Sequence, residues 1–167
     1  LRRYPKMRVD VTLNDRVVDL VEEGFDLAVR IARKIDPGLV ARPIAPARMV
    51  ACASPRYLRE HGTPRSPTDL LRHNCLTYAY AGLPNEWHFR RNGHDERVTV
   101  AGNLQGNNGD IICDVAVRGL GIIVQPTFLV YEALRSGKLV RILKGWQIDN
   151  LTVHAVYPNR QFLPPKV

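Results

Sequence analysis

The chain is poor in cysteine and has no long apolar run. Its 167 residues include three cysteines, Cys52, Cys75 and Cys113, which are widely spaced and form no C-x-x-C pair. This pattern argues against a disulfide framework or a zinc site and favours a reducing compartment. No apolar run approaches the roughly 20 residues that cross a bilayer. The start, LRRYPKM, is charged and has no apolar core, so it predicts no signal peptide. We therefore expect a cytoplasmic protein without a membrane partner.

Sequence motifs of catalysis are also missing. The chain has no G-x-S-x-G, no H-E-x-x-H, no Walker loop and no dinucleotide fingerprint. His73 and Cys75 would share one face of a strand, but no orienting acid or oxyanion donor accompanies them. We predict that the chain is not an enzyme and that it holds no metal and no cofactor.

The positive charge is spread along the chain. Its formal net charge is +8, from 24 Lys and Arg against 16 Asp and Glu. Such a charge would tolerate acidic ligands or a nucleic acid. Because the basic residues form no tract, a solvated surface is the favoured interpretation. The length allows one domain or two small lobes with a real core.

The N-terminal apolar pattern predicts a strand, a helix and a second strand. Alternation indicates a strand over Arg8–Leu13, and Asn14 or Asp15 would then cap a helix that ends at Glu23 with its valines facing inward. Phe25–Ile31 alternates again and is predicted to be a strand. Three such elements in so short a span would form a βαβ unit with a parallel sheet.

The stretch Met49–Gly62 predicts a buried strand that leads directly into a capped helix. Met49–Ala53 is apolar, Ser54 is a preferred N-cap residue, and Pro55 suits the first helical position. The unpaired N–H groups of such a helix could hold an anion. An ordinary strand-to-helix turn is the alternative interpretation.

Turn and periodicity signals predict the other elements. Pro43 interrupts the strand Leu39–Ile44 and so indicates an edge strand. Asn92-Gly93 predicts a β-hairpin between Glu86–Arg91 and Arg97–Ala101. The remaining predictions are a helix from Ser66, a strand Cys75–Tyr80, a helix containing Ile111–Ala116, a strand Gly121–Gln125, a helix opened by Pro126-Thr127 and ended by Gly137, and strands Leu139–Leu143 and Leu151–Tyr157.

Four segments in fixed order carry a family resemblance. They are VDVTLNDRVVDLVEEGFDLAVRIA, LVARPIAPARMVACASPRYLREHGTPRSPTDLLRHNCL, NNGDIICDVAVRGLGIIVQP and GKLVRIL. Together they resemble the effector-binding domain of LysR-type transcriptional regulators, over about Tyr4 to Pro165. The resemblance implies an α/β fold like the type 2 periplasmic binding proteins, in which two Rossmann-like lobes are joined by two crossover strands. Lobe I would comprise residues 1–53 and 151–167, lobe II residues 54–150, and the crossovers Met49–Ala53 and Leu151–Tyr157.

The resemblance also implies a function and partners. Family members bind a small effector between the lobes, carry an N-terminal winged helix-turn-helix that reads promoter DNA, and act as dimers of dimers. No segment before Tyr4 could form that DNA-binding domain, and the family's first strand and helix and its closing helix are missing, so we expect a fragment. The predicted function is effector sensing in a bacterial transcription factor, as a homodimer or homotetramer. The alternative is a stand-alone solute-binding protein or binding-protein-like enzyme on the same fold.

Loops at the carboxyl ends of strands supply the candidate ligand-binding residues. Arg30 could pair with a carboxylate, or could form a surface or inter-lobe salt bridge. The asparagines before the fourth predicted helix could bind a ligand beside close-approaching glycines, or could form a capping turn. Cys52 would border the cleft, although an inert buried thiol is favoured over a redox sensor. The complete set is Arg30, Cys52, Ser54, Asn107, Asn108, Gln125 and Thr127, and the expected effector is a carboxylate or an aromatic compound.

Overall fold

The fold is described from a computed structural model covering residues 2–158. Leu1 and residues 159–167, which the predicted lobe I includes, lie outside the described residues. The strands of the described range are β1 (Ala28–Ala32), β2 (Leu39–Ala47), β3 (Met49–Ala53), β4 (Thr77–Tyr78), β5 (Glu86–Arg91), β6 (His94–Thr99), β7 (Gln105–Gly106), β8 (Ile122–Pro126), β9 (Val140–Arg141), β10 (Gln147–Ile148) and β11 (Leu151–Pro158). Its helices are α1 (Pro55–His61), a 3-10 helix (Pro67–Arg72), α2 (Gly109–Val117) and α3 (Thr127–Arg135).

The strands β1, β11 and β2 form the first sheet, in that order. Both neighbours of β11 run antiparallel to it, and its pairing with β2 shifts register between Val153 and His154. The edge position predicted for the strand containing Pro43 is confirmed, because β11 is the one strand among residues 2–158 that pairs with β2. A proline costs least there, since an edge strand has one side without ladder hydrogen bonds.

The predicted N-terminal strand and helix are wrong. Arg8–Leu13 forms no strand, and the segment that follows forms only a turn at residues 20–24. Asp19 Oδ1 accepts the N–H groups of Val21 and Glu22 at 2.8 and 3.0 Å, which is the local bonding that lets Asp favour turns over helices. Val17 is 77 % exposed instead of facing inward. Alternation by itself does not make a strand, because strand N–H and C=O groups need a neighbour to pair with.

The predicted parallel βαβ unit is therefore also wrong. The strand expected over Phe25–Ile31 is displaced to β1, and β1 pairs antiparallel with β11 from the far end of the chain. Parallel pairing in the described range is limited to β4 with β7 and a single bridge between Cys75 and Ile122.

The second sheet, β8–β3–β9, forms the centre of the core. The prediction of β3 over Met49–Ala53 is confirmed. Ala51 and Ala53 belong to a buried cluster with Phe89, whereas Val50 and Cys52 belong to a second cluster with residues of α2 and α3. A strand covered on both faces has a continuous apolar sequence, which is why MVACA shows no alternation.

The third sheet, β10–β5–β6, is built on the predicted hairpin. Arg91 faces His94 across the two-residue loop Asn92-Gly93, whose φ angles are 51° and 77°. Positive φ at both loop positions suits the right-handed twist of the strands, and Asn-Gly tolerates it best. The hairpin is confirmed, with its second strand beginning earlier than Arg97.

The remaining predicted elements form with altered bounds. The helix from Ser66 is a 3-10 helix, the strands predicted at Cys75–Tyr80 and Leu139–Leu143 shorten to β4 and β9, and the helices α1, α2 and α3 form where predicted. The chain passes from the first sheet to the second at Ala47–Met49 and returns from the third sheet to the first at Ile148–Leu151. Met49 N–H donates to Asn150 Oδ1 at 3.2 Å, so the two passages are joined. The division into two lobes stays a prediction.

Candidate functional site

A cleft of about 900 Å³ lies where the first sheet meets the other elements. Ile31 at the end of β1 and Leu151 at the start of β11 contribute one side. The opposite side comes from the N-termini of α2 and α3, the end of β8 and the start of β5. Its apolar lining residues include Met49, Leu76, Trp87, Val124, Phe128 and Leu129. A concave site with a mainly apolar wall and few polar groups is typical of small-molecule binding.

Gln125 is the polar side chain buried in this wall. It lies on β8, is 4 % exposed, and makes no side-chain hydrogen bond within residues 2–158. Unlike His88 Nε2, the amide oxygen and nitrogen of Gln125 are not enclosed by protein, so they face the open cleft and are available to a ligand or to water.

Gly109 lets the N-terminus of α2 approach Gln125 closely. A Cβ at this position would lie 2.7 Å from Leu129 Cδ1 and 3.5 Å from Gln125 Oε1. The absence of a side chain therefore leaves the Gly109 backbone beside the Gln125 amide, and both residues line the cleft.

Asn108 is the N-cap of α2. Its Oδ1 accepts the N–H groups of Asp110 and Ile111, both at 3.1 Å, which is the capping-turn alternative foreseen from the sequence. The N–H of Gly109 has no acceptor in the described part of the chain. One donor at the positive end of the helix dipole thus remains open at the cleft.

A polar cluster occupies another part of the lining. Arg33 Nη1 lies 3.0 Å from Asp149 Oδ2, and His88 Nδ1 lies 2.9 Å from the same oxygen. The pKa of Asp149 is lowered, first by the hydrogen bond from His88 and then by the charge of Arg33 against the opposing effect of burial. His88 Nε2 is buried and lacks a hydrogen-bond partner among the described residues, with Asp95 Oδ1 at 3.7 Å. This cluster joins the end of β1 to the third sheet.

Tyr78 and Tyr80 add an aromatic edge to the cleft. Their rings meet edge to face at a centroid distance of 6.0 Å. Burial raises the pKa of Tyr78 to about 12, with further contributions from the charge of Asp15 and a hydrogen bond to it. The Tyr78 hydroxyl therefore stays protonated at neutral pH and can only donate or accept hydrogen bonds.

The structure brings two of the predicted site residues, Asn108 and Gln125, into this cleft. Arg30 lies elsewhere, and its guanidinium donates to the carbonyl oxygen of Val18, in a larger open depression formed mainly by residues 3–30. Thr127 is the first residue of α3, and its N–H donates to Arg48 O at 2.8 Å. Asn107 is exposed.

Ser54 and Cys52 are both buried outside the cleft lining. Ser54 Oγ accepts the N–H of Tyr57 at 3.1 Å, so the predicted N-cap is confirmed. Cys52 packs with Ile112 and Val130 in the second cluster. Burial raises the pKa of Cys52 to about 12, with a smaller contribution from Cys113, so the thiol stays protonated and inert.

Sequence reasoning missed most of the lining. Arg33, His88 and Asp149 come from three different elements, and nothing local in the sequence marks them as neighbours. Trp87 was assigned to a hairpin strand without a functional role. Its inward position in the alternation of β5 was the one signal available.

The family match covers residues 1–167, with the description "LysR substrate binding domain". The chain belongs to the LysR substrate-binding domain family. It is 36 % identical to an uncharacterised HTH-type transcriptional regulator of Haemophilus influenzae over 100 % of this chain and 58 % of that protein. It is 39 % identical over 145 residues to the probable HTH-type transcriptional regulator LtrA of Klebsiella pneumoniae, covering 87 % of this chain and 47 % of that protein. The chain thus spans about half the length of these relatives.

Solved LysR domains show the same fold. The regulatory domain of CrgA, a LysR-type transcriptional regulator from Neisseria meningitidis, superposes with a TM-score of 0.81 at 30 % identity, over 95 % of this chain and 78 % of that one. The predicted family, its type 2 periplasmic-binding-like α/β fold and its regulatory function class are confirmed.

Among residues 2–158, no helix is long and apolar enough to cross a bilayer. The same residues contain no group of three or more His, Cys, Asp or Glu side chains placed to hold a metal ion.

Proposed function

We propose that this LysR domain binds a small-molecule effector in the cleft at Gln125. Gln125 carries the proposal, because an amide that opens into a mainly apolar cleft and has no protein partner within residues 2–158 is a ready contact for a ligand. Asn108 takes part by fixing the N-terminus of α2 next to it. The cleft lining does not include the other predicted site residues, which are Arg30, Cys52, Ser54, Asn107 and Thr127.

We infer that effector binding acts through a shift between arrangements of the whole regulator. An effector changes the geometry of the oligomer only as far as its affinities for two arrangements differ. The proposed assembly is a homodimer or homotetramer in the cytoplasm that binds promoter DNA through a helix-turn-helix outside this chain. The segments Val9–Leu13 and Val17–Glu23 are our candidates for the interface of this assembly, because Val9, Val11 and Val17 are exposed apolar residues.

We propose further that this LysR domain is not an enzyme. His73 Nδ1 lies 3.3 Å from Tyr57 Oη, and the Cys75 thiol donates to Leu70 O at 3.8 Å instead of contacting His73. Burial raises the pKa of Cys75 to about 12, so no thiolate is available as a nucleophile. The alternative of an enzyme or solute-binding protein predicts turnover of a bound compound, or export of the full protein.

A thermal-shift screen of small carboxylates and aromatic compounds tests the effector site. A ligand that binds the folded domain raises its melting temperature, and the rise grows with the logarithm of the ligand concentration relative to Kd. Two aromatic residues of α3 give a matched pair: Phe128 lines the cleft and is 52 % exposed, whereas Tyr131 is 57 % exposed and does not. We expect Phe128→Ala to weaken binding of a hit by roughly five- to tenfold, and Tyr131→Ala to leave it unchanged.

The full-length regulator provides the second readout. A hit should change transcription from the regulated promoter, and Phe128→Ala should reduce that response more than Tyr131→Ala. Hits whose affinity is equal in wild type and Phe128→Ala would place the effector elsewhere and refute the cleft. Chemical conversion of a hit by the purified domain would favour the enzyme alternative.

A further inference from the structure

We propose that the cleft of this LysR domain selects an uncharged head group that both donates and accepts hydrogen bonds, such as a carboxamide, carried on an aromatic or apolar body. The inference rests on the proposed effector site and narrows its ligand class. Of the two effector classes expected from the sequence, it keeps the aromatic compound and departs from the carboxylate. Three features of the lining carry it: an unpaired amide, an open backbone donor, and the balance of charge.

The Gln125 amide supplies complementary hydrogen-bonding groups. It is buried, lines the cleft and has no partner within residues 2–158, so both its carbonyl oxygen and its NH₂ are open. A ligand carboxylate can use only the NH₂, and a ligand cation only the oxygen. A ligand amide satisfies both at once, which avoids the cost of a buried polar atom without a partner.

The N-terminus of α2 supplies one donor and one acceptor beside that amide. The Gly109 N–H is open because Asn108 Oδ1 takes the next two N–H groups, of Asp110 and Ile111. The Asp110 carboxylate also lines the cleft and has no ion-pair partner among the described residues. A helix N-terminus disfavours a cation, and the adjacent carboxylate disfavours an anion. A neutral group that accepts from the Gly109 N–H and donates to the Asp110 carboxylate is disfavoured by neither.

The charges around the cleft do not favour a carboxylate. Four acidic residues (Asp15, Glu86, Asp110 and Asp149) and three basic ones (Arg33, Lys34 and Arg97) line it. Arg33 already faces Asp149 at 3.0 Å, and Arg97 faces Glu86 at 3.8 Å. Both arginines are already placed against a carboxylate, so a bidentate arginine site for an anionic ligand would require breaking an ion pair. Lys34 has no ion-pair partner among the described residues, but the four carboxylates outnumber the basic residues of the lining.

The side chains that line the cleft determine which ligand body fits beside the head group. Trp87, Tyr78, Tyr80 and Phe128 line the cleft together with aliphatic side chains. Aromatic rings contribute large apolar contact area and prefer edge-to-face or offset contacts with another ring. We therefore expect a flat, apolar body next to the uncharged head.

Three probes with one ring and three head groups test this class. Benzamide is neutral, benzoate is an anion, and benzamidine is a cation at neutral pH. Their affinities for the intact chain are measured by two-dimensional NMR titration, with the Gly109 amide and the Gln125 side-chain amide as reporters. We expect benzamide to shift both signals and to bind about tenfold more tightly than the other two, the difference that one satisfied buried polar group makes.

Substitutions at Gln125 test whether its amide causes the preference for benzamide. Gln125→Met keeps the side-chain volume and should weaken benzamide binding about tenfold. Gln125→Glu should transfer the preference to benzamidine. Asn107→Leu is the control. It removes an exposed amide that lies two residues before Gly109 but outside the cleft lining, and should change neither affinity nor selectivity. Melting curves without probe show whether each variant is folded, and the ratio of affinities within one variant is independent of its stability.

The possible results test the proposed ligand class and the proposed effector site separately. Benzoate binding as tightly as benzamide at the same two signals would overturn the uncharged class while the cleft remained the effector site. The class also falls if none of the three probes shifts these signals, or if Gln125→Met binds benzamide like the wild type. The effector site itself fails only if no compound of the wider screen is sensitive to Phe128→Ala.

Discussion

Ser54 and Asn108 are N-cap residues of two helices whose surroundings differ. Each accepts helical N–H groups, Ser54 from Tyr57 and Asn108 from Asp110 and Ile111. The sequence signal for a cap is local, and it predicts the cap at Ser54 and allows one at Asn108. Only the N-terminus of α2 lies at the cleft, because Gly109 brings it against Gln125. The same capping role thus stabilises a helix outside the cleft at Ser54 and positions part of the proposed site at Asn108.

At the residue scale, Ser54→Ala should destabilise the folded domain without changing ligand binding. The buried Tyr57 N–H would lose its acceptor, and loss of an N-cap costs about 1 kcal/mol of unfolding free energy. Urea unfolding measures this cost. Ser136→Ala is the control, since its exposed Oγ donates to Glu132 O in the last turn of α3 and should contribute less than about 0.5 kcal/mol. Equal values for the two variants would contradict a stabilising cap.

The buried thiols give a second prediction at this scale. Burial raises the pKa of Cys52 and of Cys75 to about 12 each, so at pH 8 almost no thiolate is present at either position. We expect native protein to react with a thiol reagent much more slowly than urea-unfolded protein, in which cysteines titrate near pH 8.5. Reaction of native Cys52 at the unfolded rate, detected by peptide mass spectrometry, would support the redox-sensor alternative instead.

At the scale of elements, Cys75 is held between two glycines. Its N–H donates to Ala101 O at 3.0 Å, and Ile122 N–H donates to Asn74 O at 2.9 Å. A Cβ at Gly102 would lie 1.9 Å from Cys75 O, and one at Gly121 would lie 2.6 Å from Asn74 O. These glycines permit the close backbone approach that joins the segment before β4 to the second sheet.

Gly121→Ala should therefore destabilise the domain strongly. The new methyl group would overlap backbone, which cannot move as a side chain does, and overpacking of this kind costs about 1–3 kcal/mol. Gly82→Ala is the matched control, because a Cβ there meets nothing within 4 Å. Chemical unfolding of both variants gives the comparison. A Gly121→Ala protein as stable as Gly82→Ala would show that the backbone contact is looser than described.

At the scale of the whole molecule, stability should be unevenly distributed. The two buried clusters surround the second sheet, whereas Val9–Leu13 makes no backbone hydrogen bond within residues 2–158. Amide exchange reports local opening and follows hydrogen bonding and burial. We therefore expect the amides of the N-terminal segment to exchange much faster than those of the central sheet.

Hydrogen–deuterium exchange on this chain tests that distribution. Amides of Val9–Leu13 should exchange nearly as in an unfolded chain, those of β3 should be the most protected, and the edge strand β2 should lie between them. Protection of Val9–Leu13 equal to that of β3 would show that the strand predicted from alternation does form in solution.

The sequence by itself determined the elements whose causes are local. The cap at Ser54, the Asn92-Gly93 hairpin, the apolar strand β3 and the helices α1 to α3 depend on residues a few positions apart. The order of the four family segments further determined the family and the fold, and with them the function class.

Tertiary structure decided the pairing of strands and the composition of the cleft. Whether the Arg8–Leu13 alternation becomes a strand depends on a neighbouring strand, which no local pattern supplies. Strand β1 pairs with β11, more than a hundred residues away, so the parallel expectation failed. Arg33, His88 and Asp149 likewise meet only after folding. Gln125 was named from its sequence position, but its burial without a partner, which the proposed ligand class requires, depends on α2 packing against β8.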